Sequence, residues 1–447
     1  MAAPESATAP EASVPETTRG QRRAVAIVIA VVFVDLLGFG VVIPILPYYV
    51  RSFGVTDVVI GLLAASYSMM QFLFAPTLGR LSDEHGRRPV IMLSLVGSVV
   101  AWIVFGLAGQ FDATFGLVAG LLTLFASRMV AGAMGGNIAA AQAYVADVTP
   151  VERRAGALGL LGASFSLGFI FGPAIGGVMA SDAVVAGARA LLPAAVPATR
   201  FSLPSFAAAG LSLLALGAAT FALPEPERTR RAGERTSLLG GFAAALRDAD
   251  LRGLVIAFFV LSVAFSGVQV MFIPFVADVY GFDATNAALL LTYVGVLGAL
   301  NQGVLVGQLS RRYSPVRIAI AGAAILVVGF GAMPFSPAIG EALLPAVGPL
   351  GPALLALLVV LGLFAVGNGL VNVALATLVS IGATEDTQGS AFGVTQGAGS
   401  LGRTIGPPVM AALYVLARPT PFVVGALLVV PIVALLGGMA RGSARGG

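Results

Sequence analysis

Apolar residues run along this chain in long blocks, separated by short clusters of charge or of Gly, Pro and Asn. At roughly 20 apolar residues per bilayer crossing, the blocks predict twelve spans, at 24–48, 58–78, 89–110, 115–144, 156–180, 204–223, 253–277, 285–308, 315–335, 351–380, 388–414 and 420–440. A lipid-embedded backbone has to satisfy its own polar groups, so each block is expected to be a helix. One longer interruption, PEPERTRRAGERTSLLGGFAAALRDADLR at 224–252, divides the spans six and six. The expected organisation is a tail at 1–22, a bundle at 23–223, a linker at 224–252, a second bundle at 253–440 and a tail at 441–447. The linker's last part, LLGGFAAALRDADLR, has the composition of a short helix lying on the membrane surface. The first tail is rich in Pro, Ala and Glu and reads as disordered. It does not read as a signal peptide, because the apolar run after Arg22 and Arg23 is too long.

The two halves echo each other. SLGFIFGPAIGG at 166–177 returns as SLGRTIGPPVMA at 400–411, with Arg403 where the first copy has Phe169. GRLSDEHGRRPVIM at 79–92 is echoed weakly by GQLSRRYSPVRI at 307–318, and VIPILPYYVRSFG at 42–54 by FIPFVADVYGF at 272–282. Matches at similar offsets point to a duplicated six-helix unit, an architecture that secondary transporters use.

Composition sharpens this picture. The chain is 58% hydrophobic and 10% charged, far less charged than a soluble domain. It has no Cys and one His, His85, which leaves no thiol chemistry and no multi-histidine metal site. Every basic residue is Arg, read here as GC-rich bacterial coding. The net charge of +4 does not point to nucleic acid, because the arginines sit at span ends. Those ends are unequal. With the N-terminus inside, Arg80, Arg87, Arg88, Arg153, Arg154, Arg311, Arg312, Arg317 and the linker arginines are cytoplasmic, against Arg51, Arg189, Arg200 and Arg418 outside. The positive-inside rule therefore places both termini in the cytoplasm. Lacking Lys, the chain has no GxxxxGK[ST] nucleotide loop, so an ion gradient is the expected energy source. No enzyme activity and no cofactor are expected.

Three charges fall near mid-depth. Asp35 lies halfway along the first span, where a carboxylate is costly unless it is paired or faces water. Burial favours the protonated carboxyl and a nearby arginine the ionised one, so a balanced site can load and release a proton. The alternative is a permanent ion pair between the first and fourth spans. Arg128, on the fourth, cannot usefully lose its proton. It either tunes Asp35 or serves as a fixed donor to carbonyls. Arg403, on the eleventh, either meets a substrate or bonds carbonyls freed at Gly406-Pro407-Pro408. With two arginines against one acid, an anionic substrate becomes possible.

GRLSDEHGRRP resembles the loop signature of the major facilitator superfamily through Gly79, Asp83, Gly86, Arg87 and Arg88, although Glu84 stands where that family usually has Arg. SRMVAGAMGG is similar to its fourth-helix signature through Arg128 and Gly132. GFIFGPAIGG resembles the antiporter signature through Gly168, Gly172, Pro173, Gly176 and Gly177. VDLLGFGVVIPILP looks like the acidic first helix of tetracycline/proton antiporters. The resemblance implies an all-α membrane protein, with twelve transmembrane helices in two pseudo-symmetric six-helix bundles. It also implies that the first helix of each three-helix repeat lines the cavity. That singles out Asn137, Gln269, Asn368 and Asn372, beside Asp35 and Arg403, as substrate contacts, and Asp35 with Arg128 as the proton-coupling pair. Asp83 would cap the eleventh helix and Arg87 would bridge Asp83 to Asp147, forming with Gly79, Gly86 and Arg88 a cytoplasmic gate. Gly168, Gly172 and Gly176 recur every four residues and give a bare packing face, expected at the seam between the halves.

The function expected is proton-coupled antiport by alternating access, exporting a small, largely apolar compound from a bacterial cell across its inner membrane. The partners expected are that compound, protons and lipid, for a monomer. A carrier of an anionic metabolite or sugar is one alternative, and a transporter-like sensor or scaffold another.

Overall fold

A computed structural model describes residues 19–135, 137–226, 247, 249–347, 350–382 and 388–443. The long helices are α1 (Arg19–Val42), α2 (Val58–His85), α3 (Arg87–Phe115), α4 (Leu117–Ala133, continued by Asn137–Val148), α5 (Val151–Met179) and α6 (Ser202–Ala222). The second set is α7 (Ala249–Tyr280), α8 (Ala284–Leu300), α9 (Pro315–Ala332), α10 (Pro352–Gly382), α11 (Gln388–Leu416) and α12 (Thr420–Ser443). By length and composition, 10 helical segments among the described residues are long and apolar enough to cross a membrane. The broken α4 and the Gly- and Ser-rich α11 complete the twelve. Most of the linker lies outside the described residues, and with it the expected surface helix except 247 and 249–252; the last four of these belong to α7, which starts earlier than the expected 253.

Two of the departures from the sequence expectation occur where Pro or paired Gly interrupt a block. α1 ends at Val42 in a turn that holds Pro44, and the chain resumes as a short helix, Leu46–Ser52, with Pro47 in its first turn. α4 is not continuous over 115–144: it stops at Ala133 and restarts at Asn137, beside Gly135. α8 passes through a π-turn at Asn301–Leu305 before its last segment, Val306–Ser310. α1 begins at Arg19, inside the segment expected as tail. Gly86, with φ of 117°, makes the tight junction between α2 and α3, a backbone state that favours glycine.

Close helix contacts are made where side chains are missing. A methyl group at Gly172 would stand 2.6 Å from Gly40 Cα, and one at Gly176 2.1 Å from the Val41 carbonyl oxygen. Gly168 meets Leu36 in the same way. The glycine face expected at the seam between the halves therefore packs α5 on α1, within the first half. α11 repeats this on α7, where Gly402 and Gly406 approach the Phe259 and Val263 carbonyls.

The seam itself is built from other faces. Gly177 meets Ala288, Gly295 meets Ile170, and Thr292 Oγ1 donates to the Ile170 carbonyl at 3.3 Å, joining α5 to α8. Gly61 on α2 lies against the Pro407 carbonyl and Ala411 on α11. Leu213, Leu214 and Phe221 of α6 are exposed apolar side chains, as a lipid-facing surface requires.

Candidate functional site

Mid-depth in the first half, aromatic rings surround one guanidinium. Arg128 is only 4% exposed. Its Cζ stands 4.5 Å from the Trp102 ring, 5.0 Å from Phe105 and 6.0 Å from Tyr67. Phe39 of α1 extends this cluster, 5.6 Å from Tyr67 and 6.5 Å from Trp102. Arg128 Nε and Nη2 are buried without a hydrogen-bond partner. Cation–π attraction to the rings thus takes the place of an ion pair. The same tight packing brings Gly132, one turn on, against the Tyr67 carbonyl.

Asp35 is turned elsewhere. Its carboxylate is half-buried and accepts a hydrogen bond from Ser212 Oγ of α6 at 3.0 Å. The expected contact between Asp35 and Arg128 is not formed: α4 directs Arg128 toward α3, while α1 presents Asp35 to α6. Gly38 permits that approach, since a side chain there would crowd Ala208 and Ser212. Tyr67 stands within electrostatic range of Arg128, Asp35 and Arg403.

Arg403 lies half-buried on α11. Its side chain runs back over Gly399, and its Nη2 donates to Ser400 Oγ at 2.8 Å. It does not bond the carbonyls of the Gly406-Pro407-Pro408 kink, because α11 side chains point back toward the helix start. Of the expected substrate contacts, Asn372 donates to Asn368 Oδ1 at 2.7 Å along one face of α10, and Gln269 is half-buried on α7. The side chain of Asn137 lies outside the described residues.

At the end of the bundle carrying the GRLSDEHGRRP loop, Arg87 donates to Asp83 at 2.5 Å and to Asp147 at 2.9 Å. Both pairs lie within the first half. Arg88 turns to the last turn of α6 and donates to the Thr220 carbonyl at 2.5 Å. The backbone N–H groups of Arg87 and Arg88 donate to Glu225, which caps α3. Gly79 has open space around it.

The opposite end carries a cluster that sequence reasoning missed. Arg51 donates to Asp57 and, across the seam, to Asp278. Asp278 also accepts from Tyr414 at 2.8 Å, with Arg418 at 3.8 Å. Tyr48 donates to the Phe282 carbonyl at 2.6 Å.

The model of the Major Facilitator Superfamily matches residues 28–440. The chain belongs to that superfamily. Among its relatives in the family, the class C tetracycline resistance protein of Escherichia coli is 29% identical over 419 residues, covering 91% of this chain and 94% of the relative. Multidrug resistance protein 1 of Bacillus subtilis is 28% identical over 290 residues, covering 64% of this chain and 67% of the relative. Solved structures show the same fold. The human organic anion transporter MFSD10 (TETRAN) superposes with a TM-score of 0.63 at 24% identity, covering 94% of this chain and 100% of that one. A bacterial homologue of the human lysosomal transporter Spinster, inward-facing and occupied, superposes with a TM-score of 0.74 at 15% identity, covering 95% and 98%. This is a multi-pass membrane protein with the major facilitator fold, from a family of transporters for small molecules.

The family's loop and fourth-helix signatures were legible because they are local. The Arg51–Asp278 cluster was not. Its sequence signal is slight: the echoing segments VIPILPYYVRSFG and FIPFVADVYGF each carry one charged residue, Arg51 and Asp278, in their second half.

Proposed function

We propose that this protein is a proton-driven exporter of a small organic compound, exchanging one for the other at Asp35 by alternating access. The observation that carries the reading is Asp35 itself. It is a carboxylate at mid-depth of α1, half-buried, hydrogen-bonded by Ser212 and separate from the charge of Arg128. A mid-depth carboxylate that accepts from the Ser212 hydroxyl, while Arg128 is stacked on Trp102, can exchange its proton for a cargo; a locked pair with Arg128 could not.

The contacts between halves give the cycle its starting point. The Arg51–Asp278 ion pair joins the halves at one end, while Asp83, Arg87 and Asp147 bond within one half at the other. With the termini cytoplasmic, these contacts support a conformer closed at the outer end, from which the cycle would take cargo from the cytoplasm. Arg87 would release its partners to latch the halves when the carrier turns. One inward proton gains about 2.3 kcal/mol per 100 mV of membrane potential, enough to drive uphill export. The homologous tetracycline and multidrug resistance proteins support a drug-like cargo. A monomer in the bacterial inner membrane is the form proposed.

Purified protein in liposomes with an imposed pH gradient tests the reading. A panel of labelled drugs is expected to accumulate against its gradient with the native protein and to equilibrate without proton movement in Asp35→Asn. Accumulation that ignores the pH gradient, or proton-coupled movement in Asp35→Asn, would overturn it.

A further inference from the structure

Behind the Arg51 cluster, walled by the first half alone, lies a cavity of about 180 Å³. Three segments line it. The short helix that carries Arg51 contributes Tyr49 and its C-cap Phe53, the end of α3 contributes Gln110 and Asp112, and the segment leading into α6 contributes Thr199 and Phe201. The rings form an apolar wall: Phe201 stacks on Tyr49 with centroids 4.6 Å apart, and Phe53 stands 5.4 Å from Tyr49.

The polar groups in these walls are of two kinds. Ser52 Oγ donates to the Tyr49 carbonyl at 2.7 Å and Thr199 Oγ1 lies 2.8 Å from Ser202 Oγ, so both are satisfied by their own segments. Tyr49 and Asp112 are not. Tyr49 is only 3% exposed, and its hydroxyl accepts from the Gly109 N–H at 2.6 Å. The proton of that hydroxyl meets no acceptor among the described residues. Asp112 is half-buried, stands within electrostatic range of Tyr49, and has no side-chain hydrogen bond or ion pair among the described residues.

This acid also sits at the unfavourable end of its helix. Asp112 is in the last turn of α3, where unpaired carbonyls and the helix dipole favour a cation, yet that turn holds no basic residue. The arginines of this face are held elsewhere: Arg51 by Asp57 and Asp278, Arg200 by Asp182, and Arg189 at the Ala198 carbonyl.

We propose that the cavity is a binding site for a small organic amine, with its ammonium on Asp112 and its apolar frame against Phe201 and Phe53. The ammonium makes a charge-assisted hydrogen bond to the carboxylate and a cation–π contact with the rings. A hydroxyl on the frame takes the unused Tyr49 proton. A cavity of this size holds about one benzene ring, so the occupant is a single ring or a short chain. Because every wall residue belongs to one half, the site stays whole as the halves turn, and its occupant is not carried with the cargo. It does not depend on the exchange at Asp35.

The test uses the full chain, purified in detergent at neutral pH. The probe is 2-amino-1-phenylethanol, and 1-phenyl-1,2-ethanediol is its neutral analogue. Equilibrium dialysis is expected to show the amine binding about tenfold or more tighter than the diol, the scale of a charged hydrogen bond. Asp112→Asn should bring the two to equal affinity without lowering the melting temperature, because Asp112 has no partner in the fold to lose. Asp35→Asn should keep the preference. The chain has no native Cys, so a thiol at Gln110→Cys reports on the cavity mouth. The amine should slow its alkylation by a maleimide and leave that of Thr56→Cys, outside the cavity, unchanged. Equal binding of amine and diol by the native protein, no binding of the amine, or a preference that survives Asp112→Asn overturns the proposal. So does a preference lost in Asp35→Asn, or alkylation slowed equally at both thiols or at neither.

Discussion

Arg51 of the first half holds Asp278 of the second through two hydrogen bonds, of 2.7 and 3.0 Å, while its remaining donors hold Asp57. Tyr414 adds a third bond to the Asp278 carboxylate. The two residues come from the duplicated segments at 42–54 and 272–282. The copies thus meet each other across the seam, and a polar substitution there reports on the closed state.

Asp278→Asn should loosen that closure. Losing a charged partner in a partly shielded pair costs on the order of 1–3 kcal/mol, enough to move a population by about fivefold or more. The chain has no native Cys, so spin labels attach cleanly at Thr56→Cys and Ala417→Cys, both on the exposed Arg51 end. Their distance distribution should broaden toward longer separations in Asp278→Asn. An unchanged distribution would show that the α2–α11 and α5–α8 contacts close this end without the charges.

The glycines divide by what surrounds them. Gly176→Ala places a methyl group 2.1 Å from the Val41 carbonyl oxygen, so α1 and α5 have to separate. Overpacking of this kind costs about 1–3 kcal/mol and should lower the melting temperature. Gly210 has open space and lies within α6. Gly210→Ala should leave the melting temperature unchanged or raise it, because Ala is favoured over Gly in a helix by about 1 kcal/mol. Melting curves that rank the two variants the other way round would refute the packing assignment.

Arg128 is expected to trade stability for function. A buried guanidinium with unpartnered Nε and Nη2 costs desolvation that its rings only partly offset. Arg128→Met keeps the length and removes the charge. Its melting temperature should equal or exceed the native value while transport is lost. If stability falls steeply and transport survives, Arg128 is a structural pillar of the aromatic cluster.

Arg87 links two carboxylates within one half, with side-chain exposures of 19% for Arg87 and 35% for Asp147. A double-mutant cycle of Arg87→Gln and Asp147→Asn should give a coupling of about 0.5–1 kcal/mol in chemical denaturation. The same cycle measured on transport rate should couple more strongly, since Arg87 would be reused when this end closes. Equal coupling in both readouts would assign the trio to anchoring alone.

The helices were readable because their cause is local. Each apolar block needs only its own length and its own hydrogen bonds to form a span, and Gly86 needs only its φ to turn between two of them. Breaks in helices were harder to see, since the Gly135 interruption in α4 differs little in composition from the tolerated glycines of α5. The loop trio of Asp83, Arg87 and Asp147 was also within reach, through the spacing of four between the first two and the family resemblance.

What the tertiary structure decided is which side each helix turns to its neighbours. Asp35 and Arg128 both sit at mid-depth in sequence, an arrangement that invites pairing. A rotation of α1 sends the carboxylate to Ser212 and leaves the arginine to Trp102. In the same way the bare face of α5 goes to α1, and the seam falls to Gly177, Thr292 and Gly61. Depth in the membrane is a property of position along one chain segment, and the sequence carries it. Facing is a property of helix pairs distant in sequence, settled by which side chains are small enough to let two backbones touch.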